Sequence, residues 1–232
     1  MNRRPAFWAP TLVLAFIASV LLATPAGASE PWVERAQQRL NALRCDSGPV
    51  DGVMGRHTRS AIHRFQSRHG LAQTGELNDA TRQRLYSATA KRCDLRPVPA
   101  RSGTGRRIVL SQRQNWVWLV GPAGGVVAQG PMIDNPAEVS PGTYRSGSYC
   151  GRAGRIAANR SYNRLILRNF VRWAPCGIGF HRVPQYESGA QIHADWLLGT
   201  NLDRSAGCIR LTRGLSRRIW DFTTTRTTVR VK

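Results

Sequence analysis

The spacing of apolar residues changes near the middle of this chain of 232 residues, and that change limits the folds it can adopt. Before residue 93 apolar residues recur at helical spacing, as at Val33, Ala36 and Leu40. After residue 106 short apolar runs are separated by Gly and Pro turns, which is typical of β-strands. The sequence therefore predicts an α+β protein, with a small all-α three-helix module at 31–93 and a mainly β, sandwich-like or barrel-like module with one helix at 106–232.

The segment between the two patterns, residues 94–105, contains two prolines and two glycines and shows no periodicity, so it is predicted to be a linker. In the second module strands are predicted at 107–111, 116–120, 126–128, 132–133, 144–149, 165–173, 178–181 and 228–231. The single helix is predicted to begin after Thr212, because Leu215, Ile219 and Phe222 then fall on one face.

The N-terminus has the pattern of a secretory signal peptide. Arg3 and Arg4 precede an apolar run at 7–22, and small residues occupy a cleavage-site pattern at 26–28. We expect residues 1–28 to be removed, which leaves a protein in the periplasm or cell wall with no stable membrane insertion. The alternative is an uncleaved membrane anchor, which the short length of the apolar run disfavours.

The chain is strongly basic, with a formal net charge of +21, and nearly all of that charge comes from arginine. Such a surface favours polyanionic partners, either nucleic acid or an anionic cell envelope. Because an exported protein does not normally meet nucleic acid, the sequence predicts an envelope partner and no nucleic acid.

Five cysteines in an oxidising compartment leave one thiol over. Several pairings are open, but positions along the chain favour Cys45–Cys93 and Cys150–Cys176. That choice leaves Cys208 free. The alternative for Cys208 is a structural or dimer-forming thiol.

The residues before Cys208 are small, since Ala206 and Gly207 precede it directly. A substrate backbone can therefore approach the sulfur closely, and the N–H groups of Ala206, Gly207 and Cys208 can point at one oxygen beside it. Acyl transfer needs this combination of a thiolate nucleophile and an oxyanion hole, so Cys208 is the predicted nucleophile.

The first module resembles the three-helix peptidoglycan-binding domain of bacterial wall enzymes, and the alternative is a generic helical packing module. The resemblance rests on residues 36–40, 50–55, Thr58, Ala61, 65–66, 70–71 and 74–75. Its histidines His57, His63 and His69 lie six residues apart, which does not place them on one helix face, so no metal site is predicted.

The second module resembles the L,D-transpeptidase (YkuD) catalytic domain. The resemblance rests on residues 108–120, 140–144, 177–181, 198–199 and 205–211. It implies that His181 is the general base for Cys208 and that neither cofactor nor metal is needed. One departure is that Ala206 stands where the family usually has a second histidine; the expected contribution there is a backbone donor, which alanine retains.

Other residues near the predicted site have open roles. His193 lies fifteen residues before Cys208 and is the alternative base. The resemblance implies a backbone carbonyl as the group that orients the base, with Asp203 and Glu187 as the nearby carboxylates. Ser205 either shapes the site or begins a turn.

Two further side chains also have alternative roles. Arg210 either binds a substrate carboxylate, the reading we favour, or pairs with a local acid. Trp173 either lines the site or lies in the core.

The resemblance implies an exported enzyme that forms 3→3 cross-links in peptidoglycan through a cysteine acyl-enzyme and releases D-alanine from a tetrapeptide stem. If water accepts the acyl group, the same site is an L,D-carboxypeptidase. The alternatives of another class are a non-catalytic wall-binding protein and, less favoured, a secreted cysteine protease. Neither the acceptor amine nor the oligomeric state follows from the sequence.

Overall fold

The computed structural model describes residues 29–232, so the predicted signal peptide at 1–28 lies outside the described residues. The side chain of Cys176 also lies outside the description. Over residues 29–232, no helix has the length and apolar character needed to cross a bilayer.

The first module consists of three helices, α1 (Pro31–Ala42), α2 (Arg56–His69) and α3 (Asp79–Leu85). Its core contains the fully buried Leu40, Ile62, Phe65 and Leu85. A Cys45–Cys93 disulfide joins the two ends of the module across a sequence separation of 48 residues. A core this small gains most from such a covalent link.

The second module is built on nine strands, as the change of pattern predicts. They are β1 (Arg107–Ser111), β2 (Trp116–Val120), β3 (Val126–Ile133), β4 (Gly142–Arg145), β5 (Arg155–Arg160), β6 (Ile166–Arg172), β7 (Gly179–Arg182), β8 (Ile209–Leu211) and β9 (Thr228–Val231). They form one sheet in the order β4-β9-β1-β2-β3-β8-β7-β6-β5. The pairs β1–β9 and β7–β8 are parallel and the others are antiparallel. The α+β fold class is therefore confirmed.

One helix of the second module, α4 (Arg213–Phe222), follows the nucleophile segment as predicted. The Thr212 hydroxyl caps it by accepting the Leu215 N–H at 3.2 Å. Leu215 and Ile219 are buried against the sheet, in a core that also contains Trp173 and Phe180. Packing of α4 fixes the chain directly after β8, and thus the direction in which the segment that contains Cys208 enters the sheet.

The segment at 94–105 is packed against both modules. Arg96 is 2% exposed, and its guanidinium donates to Ser67 Oγ at 2.9 Å and to the Gln114 carbonyl at 2.8 Å. The Trp118 indole N–H donates to the Arg96 carbonyl at 2.9 Å. The segment predicted as a linker therefore holds α2 against the sheet.

A second buried arginine joins the modules directly. Arg64 on α2 donates to the carbonyls of Trp196 and Leu198, the latter at 3.1 Å, and to the Cys45 carbonyl of its own module at 2.8 Å. Gly199 makes this approach possible, because a Cβ there would lie 3.0 Å from Arg64 Cγ. The chain between β7 and β8 is thus anchored on the helical module.

Candidate active site

The parallel pairing of β7 with β8 brings the two predicted catalytic residues together. His181 is opposite Arg210 in the register, and Cys208 precedes Arg210 by two residues. Cys208 comes directly before Ile209, the first residue of β8, so it lies at the start of the strand that pairs with β7. His181 and Cys208 both line one cleft of about 1000 Å³.

The Cys208 thiol is free and half-buried. Its S–H donates to the Gly177 carbonyl at 3.4 Å. Burial raises the pKa of the Cys208 thiol, although the Gly179 backbone N–H and the charges of Arg172 and Arg210 act in the opposite direction. The resting sulfur therefore carries its proton at neutral pH.

The His181 ring is 2% exposed, and its Nδ1 lies 2.6 Å from the Arg182 carbonyl. A carbonyl can only accept, so Nδ1 carries the proton and the lone pair of the neutral ring is on Nε2. Burial lowers the pKa of His181 to about 4; the hydrogen bond to the Arg182 carbonyl opposes this, and the charge of Arg210 adds to it. His181 is thus a neutral imidazole with a free proton acceptor, oriented by a backbone carbonyl.

The loop before Cys208 is held by internal hydrogen bonds. Ser205 Oγ accepts the Gly207 N–H at 3.0 Å, and the Ser205 N–H donates to the Asp134 carbonyl at 3.2 Å. Gly207 has φ +107°, a conformation that disfavours any other residue. Ser205 therefore shapes the loop. Its hydroxyl accepts the Gly207 N–H, so this predicted oxyanion donor is already engaged in the resting structure.

The other candidate residues have separate partners. Arg210 donates to Asp203 Oδ2 at 2.7 Å, so it pairs with a nearby carboxylate, the second of its two predicted roles. The Arg210 side chain still lines the cleft. Glu187 pairs with Arg160 at 2.7 Å, so neither nearby carboxylate orients His181. Trp173 is fully buried and packs against Phe180 in the core rather than in the cleft.

His193 lies outside the described lining of the cleft. Its Nδ1 is 2.9 Å from the Ala194 carbonyl, and burial lowers its pKa. Its ring interacts electrostatically with Arg210 and Asp203. The geometry therefore favours His181 over His193 as the base for Cys208.

The cleft is lined by many cations and, among the described residues, one carboxylate, Glu138. Five arginines line it: Arg152, Arg160, Arg172, Arg204 and Arg210. Two further groups lie at the cleft without a predicted role, namely Arg172, which is buried at the end of β6, and the Gly179 amide beside the sulfur. No local pattern marks either residue, since both depend on which strands become neighbours.

Among residues 29–232 no three His, Cys, Asp or Glu side chains are grouped so that they could hold a metal ion. Cys150 is disulfide-bonded, and its predicted partner is Cys176, whose side chain is not described. The ionisable groups that line the cleft include the Cys208 thiol, the His181 imidazole, the Glu138 carboxylate and the five guanidinium groups.

Comparisons with solved structures give similarities at low identity. An L,D-transpeptidase from Xylanimonas cellulosilytica is 21% identical, with a TM-score of 0.47, over 89% of this chain and 95% of that one. An L,D-transpeptidase from Stackebrandtia nassauensis is 18% identical, with a TM-score of 0.45, over 89% and 93%. A fused Zn-dependent amidase/peptidase/peptidoglycan-binding domain-containing protein from Clostridium acetobutylicum is 17% identical, with a TM-score of 0.40, over 89% and 97%.

Comparisons of sequence are more decisive. No curated protein sequence matches the chain. The model of a peptidoglycan-binding domain, PG_binding_1, matches residues 29–85, and the model of the L,D-transpeptidase catalytic domain, YkuD, matches residues 73–231. The second match covers more than half of the chain and includes both His181 and Cys208. The chain therefore belongs to the YkuD family of L,D-transpeptidase catalytic domains, preceded by a peptidoglycan-binding domain.

Proposed function

We propose that this protein is an exported L,D-transpeptidase that forms 3→3 cross-links in peptidoglycan through an acyl-enzyme on Cys208. One observation carries the proposal: a free thiol directly before β8 and a neutral imidazole on β7, with an available Nε2, line the same cleft. That arrangement has the parts of a cysteine acyltransferase, namely a nucleophile, a base and a group that orients the base.

In the first half-reaction His181 Nε2 takes the Cys208 proton as Sγ attacks the carbonyl of the third residue of a tetrapeptide stem. The backbone N–H groups of Ala206, Gly207 and Cys208 stabilise the oxyanion. The Gly207 N–H becomes available when it leaves Ser205 Oγ. The C–N bond then breaks, the imidazolium gives its proton to the departing D-alanine amine, and a thioester remains.

In the second half-reaction an amine from a neighbouring stem attacks the thioester. His181 Nε2 accepts a proton from that amine and returns it to the departing Cys208 sulfur, which restores the resting pair. If water replaces the amine, the product is a shortened stem and the enzyme is an L,D-carboxypeptidase. Residue Ala206 does not interrupt this sequence, because the proposed contribution at that position is a main-chain N–H.

Export to the periplasm or cell wall belongs to the same proposal, with cleavage after residue 28. The Cys45–Cys93 disulfide supports it, because stable structural disulfides are typical of oxidising compartments. The positive charge of the chain also suits an anionic envelope.

The direct test is incubation of the mature protein with isolated peptidoglycan, followed by muramidase digestion and mass spectrometry of the muropeptides. We expect 3→3 linked dimers with loss of one D-alanine per cross-link. Shortened stems without dimers would favour the carboxypeptidase alternative. Unchanged muropeptides with retained binding to the sacculus would favour a non-catalytic wall-binding protein.

Three variants assign the residues. Cys208→Ala is expected to abolish product formation, and His181→Asn to lower kcat by about 10²- to 10⁴-fold, the usual contribution of a general base. His193→Asn is the matched control and should change kcat less than about threefold. A larger loss from His193→Asn than from His181→Asn would reverse the assignment of the base.

A further inference from the structure

Arg172 is a buried cation in the cleft that the proposed chemistry does not use. It is the last residue of β6, it is 2% exposed, and it lines the cleft together with Cys208. Arg172 is paired with Gly179 in the register of β6 and β7, and the next residue of β7, Phe180, is paired with Ile209, which directly follows Cys208.

The Arg172 guanidinium is held in place by contacts with the protein, but not all of its N–H groups have a hydrogen-bond acceptor. Nε donates to the Ala153 carbonyl at 3.2 Å, and the group lies 5.0 Å from the centre of the Phe170 ring. Nη1 is buried and has no hydrogen-bond partner among the described residues. A buried charged donor without a partner is costly, so the position favours a ligand that supplies an acceptor.

The neighbouring arginines differ in this respect. Arg210 is paired with Asp203 and Arg160 with Glu187, and both carboxylates approach to 2.7 Å. Arg172 has no ion-pair partner among the described residues. Of the five arginines in the cleft, Arg160 and Arg210 are thus paired with carboxylates and Arg152 and Arg204 are exposed to solvent, whereas Arg172 is buried with one N–H still vacant.

We propose that Arg172 binds the C-terminal carboxylate of the acyl donor and so positions the scissile carbonyl at Cys208. This inference rests on the proposed function, and it gives Arg172 the part that the sequence had favoured for Arg210. In a stem that loses its last residue, the terminal carboxyl carbon is three bonds from the scissile carbonyl carbon. A carboxylate receptor must therefore lie close to the nucleophile, as Arg172 does, and a planar guanidinium suits a carboxylate well.

The first test compares two synthetic donors, one ending in a free carboxylate and one in a C-terminal carboxamide. For Arg172→Gln we expect kcat/KM with the carboxylate donor to fall about 10- to 100-fold, the effect of losing a charged hydrogen bond. With the carboxamide donor the wild type and the variant should be equal within about threefold. Equal losses with both donors would overturn the carboxylate role, because they would show a general structural effect.

The matched control is Arg152→Gln. It removes the same charge from the same cleft, but Arg152 is exposed. Its charge is screened by solvent, so its effect on either donor should be about twofold or less. Arg172→Lys should recover part of the preference for the carboxylate donor, since it restores the charge without the bidentate geometry.

A second test does not require transpeptidation. The Cys208 thiol is alkylated with iodoacetate and with iodoacetamide, which differ in the presence of a carboxylate, and the adduct is mapped by peptide mass. We expect the iodoacetate-to-iodoacetamide rate ratio in the wild type to exceed that of free glutathione by about tenfold. The ratio should fall to the glutathione value in Arg172→Gln and stay near the wild-type value in Arg152→Gln.

The alkylation ratio separates failure of this inference from failure of the proposed function. A raised, Arg172-dependent ratio in a protein that forms no cross-links would keep the carboxylate subsite and reject the transpeptidase. Cross-linking with a ratio equal to that of glutathione would keep the transpeptidase and reject the subsite. The wild-type comparison needs no variant, so it decides the matter even if Arg172→Gln does not fold.

Discussion

Burial acts on both reacting side chains of the cleft and drives them to their neutral forms. The Cys208 thiol has a raised pKa and the His181 imidazole a lowered one, and in each case burial is the main cause. A preformed thiolate–imidazolium pair is therefore disfavoured at rest. On the proposed function, the proton therefore moves only as the sulfur attacks, with His181 as a general base rather than as the cation of a standing ion pair.

The pH dependence of activity should show this directly. The base form of His181 is the neutral ring, which is lost only when pH falls through its pKa of about 4. We expect the acid limb of kcat/KM to lie well below pH 6.5, the usual value for a histidine, in both the wild type and His193→Asn. The measurement is a kcat/KM profile from about pH 3.5 to 8, with circular dichroism at each pH to verify folding. An acid limb centred near pH 6.5 in folded protein would contradict the assignment.

Single residues also differ in how far the sequence alone points to a role for them. Cys208 and His181 can be proposed from the sequence because their neighbours along the chain form recognisable patterns. Ala206 and Gly207 precede Cys208, and a glycine-containing strand precedes His181. The role of Arg172 cannot be found in this way. Its proposed role depends on the lack of an Asp or Glu partner among the described residues, and the residues that surround Arg172 are determined by the tertiary fold.

At the scale of elements, β7 must fit closely against β6 to carry His181 into the cleft. Gly179, the first residue of β7, leaves no room for a side chain, because a Cβ there would lie 2.6 Å from Phe170 Cζ and 2.8 Å from the Val171 carbonyl oxygen. Its φ is not in the left-handed region, so the requirement for glycine is one of space alone. The same residue brings its N–H to the Cys208 sulfur.

Gly179→Ala should therefore affect both stability and activity. We expect the free energy of unfolding to fall by about 1–3 kcal/mol from overpacking, and kcat to fall with the displacement of β7. Urea denaturation and the muropeptide assay measure the two effects. The control is Gly214→Ala in α4, where nothing lies within 4 Å of the new Cβ and stability should be unchanged or up to about 1 kcal/mol higher. Equal stability of both variants would show that the contact between β6 and β7 is looser than described.

The elements differ in how well the sequence predicts them. The hairpin of β1 and β2 and the helix α4 follow from local patterns, because their apolar residues and caps are close in sequence. Strand β5 is not predicted, since it is a mostly exposed edge strand whose Ala157, Ala158 and Asn159 have low β propensity. The parallel pairing of β7 with β8 is not predicted either, because it joins segments separated by a long crossover.

At the scale of the whole molecule, buried arginines hold the two modules together. Arg64 satisfies carbonyls of both modules, and burial lowers its pKa only to about 10, so it remains charged. Arg96 reinforces the contact from the segment at 94–105. The sequence predicts two modules and a linker, but it does not predict this docking, because Pro and Gly content does not reveal which arginine will be buried.

Arg64→Met should uncouple the modules. It keeps most of the side-chain length but leaves several buried carbonyls without donors, so we expect a loss of about 3 kcal/mol in the free energy of unfolding. Differential scanning calorimetry should show one transition in the wild type and two in the variant. Arg59→Met, at an exposed position of the same helix, is the control and should behave like the wild type. A single, unshifted transition in Arg64→Met would show that the Arg64 hydrogen bonds do not couple the two modules.

The docking of α2 on the segment between β7 and β8 has a consequence for how the protein works on an extended polymer. A flexible linker between the two modules would let the sulfur reach many stem peptides around one glycan-binding position. Here α2 is docked on the segment between β7 and β8, so on the proposed function the fold sets the distance between the bound glycan and the thiol. That fixed distance would then determine which stem peptides can reach the thiol and react.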